Sequence, residues 1–268
     1  MVRKPGILVI SHGSRESGWV AHVDDAVMAA RAELPDAVPM AAAFLELVEG
    51  RLIQDGLDRM EAAGVTDLLV VPLFVSSGST HVDEIGWALG AYPEAGTETE
   101  LQPFRVSARL SYGRPVDDDP EFADILRERV SGLSRNPAKE CVLLIGHGSE
   151  WPGFREAWIK GLSSLASKVK EAGGYADAEW ATLRPDMAAT AVRALRERQG
   201  SGVEVLAVPV FLSEGYFTKE VIPRRLEGLG CRYDGRALMP HPLAVGWVRR
   251  QAAEWLRGFG FGDSDLQV

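Results

Sequence analysis

Three residues of this chain carry side chains suited to a divalent metal ion, and each stands beyond a short apolar run. His12 follows ILVIS, Glu46 follows PMAAAFL, and His81 ends the loop that leaves DLLVVPLF. Neutral imidazole binds borderline divalent ions through a ring nitrogen, and two imidazoles with one carboxylate leave coordination positions open. Taken singly, each has a plainer use. Ser11 or Ser14 could cap the first helix, and Ser79 or Thr80 the helix that begins near His81. Asp83 and Glu84 suit the positive end of that helix, and Glu46 competes with a near neighbour, Glu49.

The elements that must position these residues are legible in the apolar pattern. ILVIS (7–11), PMAAAFL (39–45), DLLVVPLF (67–74) and LQPFRVS (101–107) read as strands. ESGWVAHVDDAVMAARAEL places Trp19, Val20, Val23, Val27, Ala30 and Leu34 on one helical face, and further helical patterns span 48–63, 81–90 and 119–131. Near-continuous apolar strands alternating with helices specify an α/β fold with a parallel sheet covered on both faces. In such sheets ligands gather beyond the carboxyl ends of the strands. His12, Glu46 and His81 are therefore expected at one sheet edge.

The second half repeats the first. ILVISHGSRESGW returns as VLLIGHGSEWPGF, with His147 135 residues after His12. AFLEL returns loosely as EWATL, which pairs Phe44 with Trp180 and Glu46 with Thr182. VVPLFVSSGSTHVDEI returns as AVPVFLSEGYFTKEVI, which pairs Gly78 with Gly215 and His81 with Thr218, and Pro120 pairs with Pro242. The chain is thus two copies of one α/β unit, joined around SGLSRNPAKE (131–140), with expected lobes 1–134 and 135–268. Only the first copy keeps both histidines and the glutamate, so the first lobe is expected to carry the metal site and the second a degenerate one, the alternative being asymmetric roles of the two copies within one shared cleft.

Composition excludes other classes. The 268 residues are 46% hydrophobic and 25% charged, enough for a sizeable core. The net charge of −9 without a basic stripe argues against nucleic-acid binding. An anionic ligand would need local arginines or helix N-termini. Two distant cysteines, Cys141 and Cys231, make neither a zinc cage nor a disulfide framework. No apolar run is long enough for a membrane span, and that at the N-terminus is too short for a secretory signal, so a cytoplasmic location is expected.

The motifs SHGSR, AFLEL, VPLFVSSGSTHVDEI and LMPHP (238–242) together resemble the class II tetrapyrrole chelatases, specifically sirohydrochlorin chelatases of the CbiX/SirB type. Short members of that family are homodimers of one unit and long members fuse two. The resemblance implies a lyase, active in cobalamin or siroheme synthesis, that inserts a divalent metal into a sirohydrochlorin-type tetrapyrrole without ATP. Cobalt is expected first, with iron(II) or nickel(II) as the other substrates, and no organic cofactor. It places metal and catalytic roles on His12, His81 and Glu46, and a cleft between the lobes. Ser14, Arg15, Tyr216 and Phe217 are expected on its substrate side, with Phe74 and Trp87 as further apolar walls. The expected partner is the tetrapyrrole alone, with no nucleic acid or membrane, on a monomer or homodimer. Ser79-Thr80 replaces two glycines common before the second histidine, Val48 follows AFLEL where proline is frequent, and Asp117-Asp118-Asp119-Pro120 replaces a GPHP-like sequence. The alternative is a metal or tetrapyrrole carrier without turnover. A phosphatase-like histidine in SHGSR would call for a preceding arginine, and Ser11 stands there.

Overall fold

Ile7, Leu8, Val9 and Ile10 are inaccessible to solvent because their strand lies inside its sheet, with neighbours on both sides. The computed structural model describes residues 3–15 and 17–266. Met1, Val2, Glu16, Gln267 and Val268, which the expected lobe ends and the first helix pattern include, lie outside the described residues. The chain divides into two compact units, one of Met1–Phe74, Thr80–Pro115 and Ala244–Val268, the other of Val75–Ser79 and Val116–Leu243.

The first unit holds β1 (Pro5–Ser11), α1 (Ser17–Ala32), β2 (Met40–Phe44), α2 (Ile53–Ala62), β3 (Asp67–Pro72), α3 (Thr80–Ala88) and β4 (Arg109–Tyr112). Its four strands run parallel in the order β2-β1-β3-β4. Of the expected stripe, Trp19, Val23, Val27 and Ala30 on α1 and Leu34 just beyond it are in the core, while Val20 is half-buried.

One expected strand is displaced. LQPFRVS (101–107) is irregular, and the fourth strand begins at Arg109. Pro103 interrupts the run and has no N–H for a sheet ladder. Leu101, Phe104 and Val106 pack on the core as partly buried side chains, and the Phe104 N–H donates to the Ala88 carbonyl, 2.8 Å. The apolar spacing that reads as a strand is that of a loop laid over the sheet.

After α4 (Pro120–Leu133), the second unit repeats the arrangement with β5 (Glu140–Gly148), α5 (Phe154–Gly173), β6 (Asp177–Arg184), α6 (Ala188–Gln199), β7 (Glu204–Pro209), α7 (Ile222–Leu226) and β8 (Cys231–Tyr233). Its parallel order, β6-β5-β7-β8, matches that of the first sheet. A π-helical turn, Phe217–Val221, leads into α7.

The compact units do not follow the expected bounds at 134 and 135. α4, from the first half of the sequence, belongs to the second unit, and nearly all of α8 (Pro242–Leu256) belongs to the first. In the first unit Gln251 accepts from the Arg114 N–H, 3.0 Å, and donates to the Arg114 carbonyl, 3.1 Å, while Trp255 Nε1 donates to Ser111, 3.0 Å. In the second, Arg129 on α4 donates to the Ala237 carbonyl, 3.0 Å. The acidic run before α4 has structural work. Asp117 accepts from the N–H and hydroxyl of Ser77, Asp118 pairs with Lys168 and Ser164, and Asp119 caps α4 by accepting from Glu121 N. The repeat boundary is visible in sequence because it divides homologous segments. Which helix completes which sheet is decided by packing.

Buried carboxylates mark the amino ends of the strands. Asp67 opens β3 and is held below the usual carboxylate range by hydrogen bonds from Arg3, against the opposing cost of burial. Burial also pushes Asp177 up, but Arg198 and Lys170 hydrogen bonds outweigh it and bring the carboxyl to about 2. The opposite, carboxyl edges of the sheets are left for chemistry.

Candidate metal site and its degenerate counterpart

At the carboxyl edge of the first sheet the β1–β2 ladder continues past its last regular pair, Ser11 with Phe44. Leu45 N donates to Ser11 O, 2.9 Å, and Glu46 N donates to His12 O, 3.1 Å. This extension brings the first histidine and the glutamate onto adjacent chains. Gly13 makes it possible. Its φ is +93°, and a Cβ there would lie 1.9 Å from the Glu46 carbonyl oxygen, so only glycine lets the two backbones approach this closely.

His12 and His81 face one another with ring centroids 4.8 Å apart and planes at 76°. The Nδ1 of His12 lies 3.6 Å from Glu46 Oε1 and 3.3 Å from the Gly13 carbonyl. The Nδ1 of His81 lies 2.6 Å from Glu84 Oε1, and the other oxygen of Glu84 accepts from Thr99, 2.6 Å. Each imidazole therefore turns Nδ1 toward a carboxylate. The hydrogen bond from His81 to Glu84, and that from His12 to the Gly13 carbonyl, place each proton on Nδ1 and leave Nε2 as the lone-pair donor for a metal. Both rings are partly exposed, as an exchanging ion requires.

From the sequence alone Glu84 reads only as a charge near a helix end. Its position three residues after His81, on the same helical face, was the available signal. Glu46 stands beside His12 as expected. Even so, among the described residues no three His, Cys, Asp or Glu side chains form a ready metal cluster. The arrangement is a pair of imidazoles, each backed by a carboxylate. Ser14 is half-buried and Arg15 exposed in the loop between β1 and α1. Phe74 is a core residue, 6% exposed, whose ring centroid lies 6.4 Å from that of His81; it is not an open wall. Trp87 is half-buried on α3.

The second copy has the same frame with different side chains, and two of the sequence pairings need correction. Gly146 pairs with Thr182 across β5 and β6 as Ser11 pairs with Phe44 across β1 and β2. Thr182 is thus the counterpart of Phe44, and Arg184 that of Glu46. Gly148 agrees: its φ is +81°, and a Cβ on it would lie 2.3 Å from the Arg184 carbonyl oxygen, as one on Gly13 would meet that of Glu46. Likewise the Tyr112 hydroxyl donates to Val82 O, 2.8 Å, and the Tyr233 hydroxyl to Thr218 O, 2.9 Å. Thr218 therefore matches Val82, and the counterpart of His81 is Phe217. The ring of Phe217 meets His147 edge-on at 5.0 Å and 83°, much as His81 meets His12. A gap in the alignment hides this. Asp83 and Glu84 separate Val82 from the buried Ile85, whereas Lys219, Glu220 and Val221 separate Thr218 from the buried Ile222. The π-helical turn absorbs the additional residue.

Comparison with known proteins follows the same division. The model of the CbiX family matches residues 6–133 and again residues 141–254. The chain is 25% identical over 135 residues to the sirohydrochlorin cobaltochelatase of Methanopyrus kandleri, covering 46% of this chain and 93% of that one. It is 27% identical over 172 residues to the sirohydrochlorin ferrochelatase of Bacillus subtilis, covering 62% of this chain and 59% of that one. Among solved structures, SirB from Bacillus subtilis with Fe3+ aligns with a TM-score of 0.72 at 22% identity, over 94% of this chain and 95% of that chain. CbiX of denitrifying bacteria aligns with a TM-score of 0.62 at 17% identity, over 94% of this chain and 99% of that chain. These two likenesses establish a shared fold.

Proposed function

The chain belongs to the CbiX family, and from that premise we propose that it is a chelatase inserting a divalent metal into a sirohydrochlorin-type tetrapyrrole. Cobalt is the first candidate, with iron(II) and nickel(II) as the others. The reading rests on one observation above all: His12 and His81 at 4.8 Å, each with a carboxylate toward its Nδ1.

His12 and His81 take the ion through Nε2 and replace part of its water shell. Few protein ligands suit an ion that has to leave, because a closed four-ligand cage would retain it. The free macrocycle gives up two pyrrole N–H protons as the M²⁺ ion enters, so the metal's charge is balanced by the protons released. Glu46, half-exposed beside His12, accepts a proton or completes the ion's coordination before transfer. Glu84, less exposed and held by Thr99, instead fixes the His81 ring. Ser14 and Arg15 serve the substrate side of this edge through donors suited to carboxylates. Residues 1–134 and 135–268 are the two repeats of one duplicated unit, the first carrying the metal-handling residues.

The decisive experiment follows metallation of free sirohydrochlorin by absorbance with cobalt(II), iron(II) and nickel(II), without ATP. Acceleration above the spontaneous rate, lost in His81→Ala, supports the chelatase reading. Metal or macrocycle binding without acceleration overturns it in favour of a carrier.

A further inference from the structure

We propose that the carboxyl edge of the second sheet is a carboxylate-binding site centred on Arg184, taking the acidic side chains of the tetrapyrrole. The inference deepens the chelatase reading and rests on it for the identity of the ligand.

The substitutions in the second copy change the edge from cation-binding to anion-binding. Where the first copy has Glu46, the second has Arg184; where it has His81, the second has Phe217. The retained His147 has its Nδ1 3.0 Å from the Gly148 carbonyl. With Arg184 in the place of Glu46 and Phe217 in the place of His81, this edge is a poor cation site, since a second imidazole and the matching carboxylate are gone. Simple decay of a redundant site would account for Phe217. It does not account for a charge reversal on a strand end whose close backbone approach, at Gly148, is preserved.

Arg184 is exposed at the end of β6, and among the described residues it has no hydrogen bond or ion pair through its guanidinium. Most arginines of this acidic chain are committed to carboxylates, as Arg198 is to Asp177 and Glu179 and Arg232 is to Glu140 and Glu204. An uncommitted guanidinium can take a carboxylate through two parallel hydrogen bonds. The loops of the same sheet edge also present two exposed aromatic side chains, Trp151 at 59% and Tyr216 at 65%. A polycarboxylate aromatic macrocycle offers both an anionic rim and a flat apolar face. The net charge of −9 makes a local cation necessary for such a ligand.

The test uses the full chain in metal-free buffer, with free-base uroporphyrin as a polycarboxylate probe and binding read from quenching of tryptophan fluorescence. Circular dichroism establishes that each variant is folded, and a parallel cobalt(II) titration reads the first copy. Arg184→Glu is expected to weaken uroporphyrin binding by about tenfold or more, as loss of a charge-assisted hydrogen bond would. Arg184→Lys should retain part of the affinity, and cobalt affinity should be unchanged in both. Folded Arg184→Glu protein that binds uroporphyrin as tightly as wild type overturns the site, as does an equal loss of cobalt affinity. If wild type metallates sirohydrochlorin while Arg184→Glu binds uroporphyrin unchanged, this inference alone fails. If wild type binds uroporphyrin through Arg184 but never metallates, the chelatase reading fails instead.

Discussion

At the scale of single residues, the partners of the two imidazoles define their roles. His81 shares a short contact with Glu84, whereas His12 has a longer one with the more exposed Glu46. A carboxylate on Nδ1 raises the basicity of the metal-binding nitrogen, and losing such a partner costs about 10–100-fold in metal affinity. Glu84→Gln is therefore expected to weaken cobalt(II) binding about tenfold, measured by competition with a chromogenic chelator. His81→Ala and His12→Ala, which remove a ligand outright, should weaken it more and abolish accelerated metallation. If Glu84→Gln binds cobalt as wild type does, the carboxylate is not positioning the ring. His12, Glu46 and His81 were legible in sequence from their place after apolar runs. Glu84 was not, because an acidic residue near the amino end of a helix has a sufficient explanation in the helix dipole. The same limit held in the second copy. Only the β5–β6 register and the paired tyrosine hydrogen bonds identify Arg184 and Phe217 as the residues that replaced Glu46 and His81.

At the scale of elements, the site depends on how β1 and β2 end. Gly13 combines a positive φ with backbone contact to Glu46, so Gly13→Ala must strain the turn and push the two chains apart. The expected cost is about 1–3 kcal/mol, visible in chemical denaturation. Metal affinity should fall as well, since Glu46 and His12 are carried on the separated chains. An unchanged midpoint would mean that the turn relaxes freely. The turn's sequence, HGS after an apolar strand, announces a glycine but not the reason for it. Element types followed the apolar periodicity closely, from the buried β1 to the stripe of α1. The failure was at 101–107, where alternating apolar residues lie over the sheet without joining it. Periodicity reports which side chains are buried. It does not report whether the backbone between them pairs.

At the scale of the whole molecule, each sheet is completed by a helix from the other half of the sequence. The first unit takes from α8 the side chains of Trp247, Val248, Ala252 and Leu256, each 1% exposed or less. A chain ending at Leu243 is expected to lose the cooperative unfolding of the first unit, and hydrogen exchange in β1 and β3 would register the loss. Protection equal to wild type would show that α8 is dispensable. Acid stability is a second property of the assembled chain. Hydrogen bonds from Arg198 and Lys170, against the upward push of burial, hold the Asp177 carboxyl at about 2, below its ordinary value. Its contribution is full above the unfolded carboxylate pKa near about 4 and is lost as pH falls toward 2. The depression corresponds to a contribution on the order of 2 kcal/mol. Asp177→Asn should be less stable at neutral pH by that order and lose less stability between about pH 4 and 2; parallel losses in acid titrations would refute the assignment. By itself the sequence determined the α/β class, the duplication and the first copy's candidate metal ligands, because burial and donor chemistry are properties of short segments. The tertiary structure alone decided which helix covers which sheet, which carboxylate backs which imidazole, and which residues stand at the second copy's edge. Those depend on register and packing between segments far apart in the chain, where one residue absorbed in a π-helical turn is enough to move the counterpart of His81 from Thr218 to Phe217.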